Sequence, residues 1–127
     1  MLLVVVIIGI IAAIAVPYLQ KSVRAAENGA TIGILRAVSS TELNYFTAHQ
    51  RFGRLDEIAS LVGYLGSEVS PTQYVRNNFT YVMVPASPTD IDLKDNYTII
   101  ATRNPTGDTN IYSFELTQTG EIRQLLP

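Results

Sequence analysis

The first 19 residues form an uninterrupted apolar segment. Residues 1–19 contain no charged side chain, and only Gly9, Pro17 and Tyr18 depart from an aliphatic pattern. At about 1.5 Å per residue, a helix of this length measures roughly 28 Å, close to the ~30 Å hydrocarbon core of a bilayer. The segment is longer than the ~7–15 apolar residues of a cleaved secretory signal. It is therefore predicted to be a membrane-spanning anchor.

The helical pattern continues after Leu19 but becomes amphipathic. Charged side chains such as Arg24, Arg36 and Glu42 are predicted to lie away from the apolar stripe. One helix is expected from Leu2 to about Gln50, giving a helical region 1–51 with an apolar segment at 1–19 and an amphipathic half at 20–51. The predicted stripe recurs at steps of three and four residues and comprises Val23, Ala26, Ala30, Ile34, Val38, Thr41 and Tyr45.

The remaining region, residues 52–127, is predicted to be globular and rich in β-structure. A short helix is expected at 56–65, and Gly53 is expected to cap the long helix. Gly120 is expected at the positive-φ position of a hairpin between the last two strands. The fold class predicted is α+β, with one long N-terminal helix packed against a four-stranded antiparallel sheet. The four strands, rich in Tyr, Val, Ile and Thr, are predicted at residues 79–84, 97–103, 111–117 and 121–125.

Composition excludes several classes of function. The chain is 47% hydrophobic and 16% charged, against roughly 25% charged for an average soluble domain. A net charge of -2 provides no basic surface for a nucleic-acid backbone, so nucleic-acid binding by the isolated subunit is not expected. The absence of cysteine excludes disulfides and thiolate metal sites.

No catalytic, cofactor-binding or metal-binding residues are assigned from the sequence, and the chain is not expected to be an enzyme. Asp56 and Glu57 are neighbours on a predicted helix and point in different directions, which favours a solvated helix start over an acid/base pair. The only histidine, His49, is interpreted as a capping or surface residue. Oxygen ligands crowded in a loop can bind calcium, but a solvated acidic turn is the preferred interpretation of Asp90, Asp92 and Asp95.

The segment LLVVVIIGIIAAIAVP, residues 2–17, closely resembles the N-terminal helix of type IV pilins and type II secretion pseudopilins, including the spacing of Gly9 and Pro17. The resemblance implies the pilin fold. Mature family members begin with an N-methylated Phe followed by Thr-Leu-Ile-Glu, and that Glu would directly precede Met1. Aligning Gly9 and Pro17 with the family pattern leads us to expect that Met1 is an internal residue of the mature helix.

The resemblance further implies a structural role as a pilus subunit, most simply the major pilin. The expected precursor sits in the inner membrane and is processed by a prepilin peptidase. The pilus assembly machinery then builds it into a helical homopolymer at the cell surface, with residues 1–19 in the filament core. The alternative is a pseudopilin of a type II secretion system or a competence pseudopilus. In an assembled fibre, the helix between Gly9 and Pro17 is expected to be partly non-helical.

Overall fold

The computed structural model describes residues 1–63, 65–76, 78–85, 88–103 and 111–126. The chain divides into two units, Met1–Ala30 and Thr31–Pro127. The helices are α1 (Leu2–His49), α2 (Leu55–Val62) and α3 (Asp92–Asp95). The strands are β1 (Ser67–Ser70), β2 (Gln73–Arg76), β3 (Phe79–Val84), β4 (Thr98–Arg103), β5 (Tyr112–Thr117) and β6 (Ile122–Leu126).

Helix α1 ends close to its predicted position, but the residue that ends it is not the predicted one. Gln50 adopts a positive φ of 60° directly after His49, and its N–H donates to the Phe46 carbonyl at 2.7 Å. The prediction that Gly53 caps the helix is therefore wrong. Any residue in the left-handed backbone conformation after the last helical turn can donate its N–H to a carbonyl of that turn, whatever its side chain. The prediction assigned this role to Gly53 because it is the nearest glycine in the sequence.

The sheet has six antiparallel strands in the order β1 to β6, so the predicted four-stranded sheet is wrong in its strand number. The four predicted strands correspond to β3, β4, β5 and β6. Strands β1 and β2 were missed because each has only four residues and β1 is largely exposed, so neither carries a clear alternation of apolar and polar side chains. A turn at Pro71 and Thr72 joins them.

The inner face of the sheet forms the core of the second unit. Every second residue of β3 and β4 is buried, as expected for strands with one face packed and one solvated. Met83 lies opposite Ile99, which lies opposite Leu116, and all three side chains are fully buried. Leu35 and Val38 of α1 belong to the same core cluster. The predicted α+β layout, a long helix with an antiparallel sheet, is confirmed.

The buried face of α1 within the second unit is shifted by one residue from the predicted stripe. Thr31, Leu35, Val38 and Glu42 are buried, at the spacing of one helix face. The prediction was right for Val38, whereas Ile34, Thr41 and Tyr45 are only partly buried and Glu42, predicted to lie off the stripe, is fully buried. The pattern failed because it assumed that a charged residue faces solvent.

Helix α2 begins one residue before its predicted start and ends at Val62, before the predicted end at Leu65. The Glu57 carboxylate accepts the Arg54 N–H at 3.2 Å, which satisfies one of the backbone donors near the start of the helix. Leu55 and Ile58 are fully buried. The Asp56 N–H donates to the Pro71 carbonyl at 3.0 Å, which attaches α2 to the β1–β2 turn.

Candidate functional site

Residues 1–19, the predicted anchor segment, present large hydrophobic side chains around the beginning of α1. Leu2 is 83% exposed, and Ile8 and Ile14 are about 60% exposed. Among the described residues, α1 is the one helix that is long and apolar enough to cross a membrane, and none of its most apolar 18-residue window is buried within the chain. Monomeric soluble proteins rarely leave so large an apolar surface uncovered.

Gly9 and Pro17 lie inside α1 without interrupting it. Pro17 is a helical residue, although proline in a helix interior costs about 3 kcal/mol and removes a backbone donor. A Cβ atom built on Gly9 would have no neighbouring heavy atom within 4 Å, so packing inside this chain does not require glycine there. The predicted loosening between these residues concerns an assembled fibre and stays a prediction.

An ionic cluster of Tyr45, Arg51 and Glu57 joins the end of α1 to α2. The Arg51 guanidinium donates to both Glu57 oxygens, at 3.2 and 2.8 Å, and the Tyr45 hydroxyl donates to Glu57 Oε2. Arg51 also lies over the Tyr45 ring, 5.4 Å from its centroid. Glu57 is thus held in an ion pair, and the prediction of a solvated helix start at Asp56 and Glu57 is wrong for Glu57.

The hydrogen bonds in this cluster stabilise the charged form of Glu57. Partial burial raises the pKa of this carboxyl, but the bonds from Arg51, Tyr45 and the Arg54 N–H outweigh burial and lower the pKa to about 2. Adjacent to the cluster, Glu42 shows the opposite behaviour: its burial raises the pKa to about 8. The carboxyls of Glu42 on α1 and Glu57 on α2 therefore have widely different pKa values.

Perturbed carboxyls sometimes mark an active site, but this pair lacks the arrangement that catalysis needs. Glu42 is fully buried and Glu57 is occupied by Arg51 and Tyr45, so neither side chain is presented to a substrate. Spacing alone could not reveal the cluster, because its members come from α1, the following loop and α2.

The interpretation of His49 is consistent with the structure: the ring is exposed, stacks on Tyr45 at 4.0 Å and has its Nδ1 3.2 Å from the Tyr45 carbonyl oxygen.

The predicted acidic turn is partly helical, because Asp92 and Asp95 are the first and last residues of α3, and the carboxylates of Asp90, Asp92 and Asp95 have separate surroundings. Asp92 accepts the Thr89 N–H at 2.9 Å, which lowers the pKa of its exposed carboxyl. Asp90 lies 3.6 Å from Arg51 Nε. Within the described ranges, no group of three His, Asp or Glu side chains is arranged to hold a metal ion. The structure does not bring the three carboxylates together as a calcium site.

An open cleft of about 470 Å³ lies beside the β1–β2 turn. Arg54, the one cationic side chain among its described lining residues, already lies 3.5 Å from Asp56 and 3.6 Å from Glu57. The other lining residues are Ser70, Pro71, Thr72, Gln73, Val82 and Pro88. The charge of Arg54 is therefore already offset by carboxylates of its own chain.

The exposed anchor segment is consequently the strongest candidate for a functional surface in the described residues of the chain. An apolar surface of this kind is suited to lipid or to other apolar helices, rather than to chemistry on a bound substrate. No protein-family model matches the chain, and no curated protein or solved structure matches it at a significant level.

Proposed function

We propose that this chain is a structural subunit of a type IV pilus, most simply its major pilin. The observation that supports the proposal is the anchor segment: 19 residues without a charge, whose most apolar window has no covering within its own chain. The resemblance of residues 2–17 to the pilin N-terminus gives the proposal its specific form. A long N-terminal helix with an antiparallel sheet is compatible with a pilin layout.

In the proposed mechanism, the anchor segment occupies two apolar environments in turn. It first holds the precursor in the inner membrane, with the sheet outside the cytoplasm. After a prepilin peptidase acts, the assembly machinery transfers the helix into a bundle of the same segment from other copies. Burial of apolar surface at about 25 cal/mol per Å² supplies adhesion between the helices. The product is an extracellular filament with the second unit available to its surface.

The test is to isolate fibres sheared from cells that naturally make the protein, and to identify their main band by mass spectrometry. We expect this chain to be the principal component of long surface fibres. A chromosomal Ile10→Arg variant should make no fibres, whereas Gln20→Arg, which changes a residue outside the anchor segment, should retain them. Recovery of the chain only from the membrane fraction, with wild-type fibres formed by another protein, would contradict the proposal.

The pseudopilin alternative has one sequence feature in its favour. Many long-fibre pilins close a C-terminal loop with a disulfide, and this chain has no cysteine. The same fibre preparation separates the two functions. A pseudopilin would leave the cell surface without long fibres, and loss of the chain would reduce protein secretion or DNA uptake instead.

A further inference from the structure

The Glu42 carboxyl is buried at the place where the chain leaves α1. Its side chain has 0% exposure, and Oε2 accepts the Gly53 N–H at 2.8 Å. Oε1 has no hydrogen-bond partner among the described residues. A buried carboxylate normally requires several donors or a close cation, so this environment is suited to the neutral acid.

Among the described residues, the charged and titratable groups around Glu42 do not supply a free counter-ion. Glu57 of α2 repels a negative charge on Glu42, and Arg51 attracts it. The Arg51 guanidinium is itself bonded to both oxygens of Glu57, so its charge is largely offset. From the sheet side the facing group is Tyr97, just before β4, and its own pKa is raised to about 12 by burial and the nearby carboxyl.

The loop that is hydrogen-bonded to Glu42 contacts three helices, α1, α2 and α3. We define the junction loop as residues 50–54. A Cβ atom on Gly53 would lie 2.8 Å from Ile58 Cγ2 and 3.3 Å from the Tyr45 ring, so side chains of α2 and α1 pack closely against the Gly53 backbone. Next to Gly53, the Phe52 N–H donates to the Leu93 carbonyl of α3 at 2.8 Å. Displacement of the loop would therefore disturb α2 and α3 together.

We propose that Glu42 is a proton-dependent latch: its neutral carboxyl holds the junction loop on α1, and loss of its proton loosens that loop. The latch is a property of the second unit and does not depend on the pilus function. In the part of the chain that the structure describes, an ionised Glu42 would have the Gly53 N–H as its one donor, so ionisation favours an open state that admits water. Hydration of the carboxylate then replaces the contact that attaches the loop.

The direction of the pH effect follows from linkage. Burial is the main cause that raises the pKa of Glu42 from its usual 4.5 to about 8 in the folded protein. The unfolded chain consequently releases this proton at lower pH than the folded chain. The contribution of neutral Glu42 to the free energy of unfolding is complete below pH 4.5 and is lost progressively as the pH rises towards 8. Mildly acidic solution should hold the latch closed.

The experiment uses the full chain in detergent micelles, with glutamate labelled with ¹³C at the side-chain carboxyl. NMR from pH 3 to pH 10 should show one carboxyl signal with a midpoint well above that of the others, and that signal should be absent in Glu42→Gln.

In parallel, the melting temperature of the wild type should fall by at least ~8 °C between pH 5 and pH 9. Glu42→Gln keeps an oxygen acceptor for the Gly53 N–H and should lose most of that dependence, whereas Glu121→Gln, at an exposed site, should keep it.

Amide hydrogen exchange gives the structural readout of the latch. After correction for the intrinsic rate, protection of the Gly53 amide should fall at least ~10-fold between pH 5 and pH 9 in the wild type and stay constant in Glu42→Gln. The proposal is overturned if all glutamate signals titrate below about pH 6. It is equally overturned if Gly53 protection does not change through the titration. Both results come from the wild type and stand even if the Gln variant fails to fold.

Discussion

Arg51 binds Glu57 through two nitrogens: Nη1 donates to Oε1 at 3.2 Å and Nη2 donates to Oε2 at 2.8 Å. Arg51 lies in the junction loop and Glu57 lies six positions later in α2. A guanidinium and a carboxylate that meet in this way form a planar pair with defined geometry, which a lysine could not reproduce. The pair attaches the junction loop to α2.

Loss of the Glu57 charge should destabilise the second unit at neutral pH and have little effect in strong acid. The pKa of Glu57 is lowered to about 2 in the folded protein, so its contribution is present above the usual 4.5 and disappears as the pH falls towards 2. With allowance for solvent screening, we expect Glu57→Gln to cost about 2 kcal/mol at pH 7. Unfolding followed by circular dichroism at pH 7 and pH 2 measures the difference. An equal cost at both values would show that the charge is not the cause.

Gly53 is required for close packing rather than for backbone conformation. Gly53→Ala would place a methyl group 2.8 Å from Ile58 Cγ2, and we expect it to cost about 1–3 kcal/mol because Ile58 is fully buried in the core and must shift to accommodate the methyl group. Gly33→Ala is the matched control. It lies inside α1 with no heavy atom within 4 Å of the new methyl group, so it should stabilise the helix by about 0.5–1 kcal/mol. Denaturation midpoints of the two variants should therefore move in opposite directions.

The central row of the core should be sensitive to cavities. Ile99 lies between Met83 and Leu116 in the sheet and is fully buried, so we expect Ile99→Ala to cost about 2–5 kcal/mol. Ile91→Ala removes the same atoms from a side chain that is 81% exposed and should change stability by less than ~0.5 kcal/mol. Equilibrium unfolding of both variants tests the assignment of the core. Similar values for the two would mean that Ile99 is not packed as described.

Sequence patterns predicted the regions of this fold in which side-chain periodicity and burial agree. Strands β3 and β4 were identified because apolar side chains such as Phe79, Tyr81 and Met83 alternate with partly exposed residues. Strands β5 and β6 were identified from their β-favouring residues and the turn residues between them, although their burial does not alternate strictly. Gly120 was identified because a hairpin turn needs a positive φ, and its φ is 81°. In these cases the backbone conformation that each residue favours locally agrees with its position in the folded protein.

The predictions failed where a contact distant in sequence decides the environment. Glu42 is buried because the N–H of Gly53, eleven positions later, provides its hydrogen bond. Hydrophobic periodicity contains no information about such a partner. Gln50 ends α1 although nothing in its side chain favours a positive φ. Strand β1 depends on pairing with β2, so its mostly exposed residues give no periodic signal of their own.

A single charge in the middle of the anchor segment should prevent stable membrane association. Ile10 lies near the centre of residues 1–19, where an arginine costs about 2.5–3.5 kcal/mol on insertion scales. We expect Ile10→Arg to reduce the fraction of protein that resists alkaline carbonate extraction by at least ~10-fold. Gln20→Arg places the same charge beside Lys21, where a long side chain can extend to the interface, and should be extracted like the wild type. Both positions lie in the unit without the sheet, so thermal unfolding of the sheet should be unchanged in either variant. If Ile10→Arg stays in the membrane pellet as fully as Gln20→Arg, residues 1–19 are not the anchor.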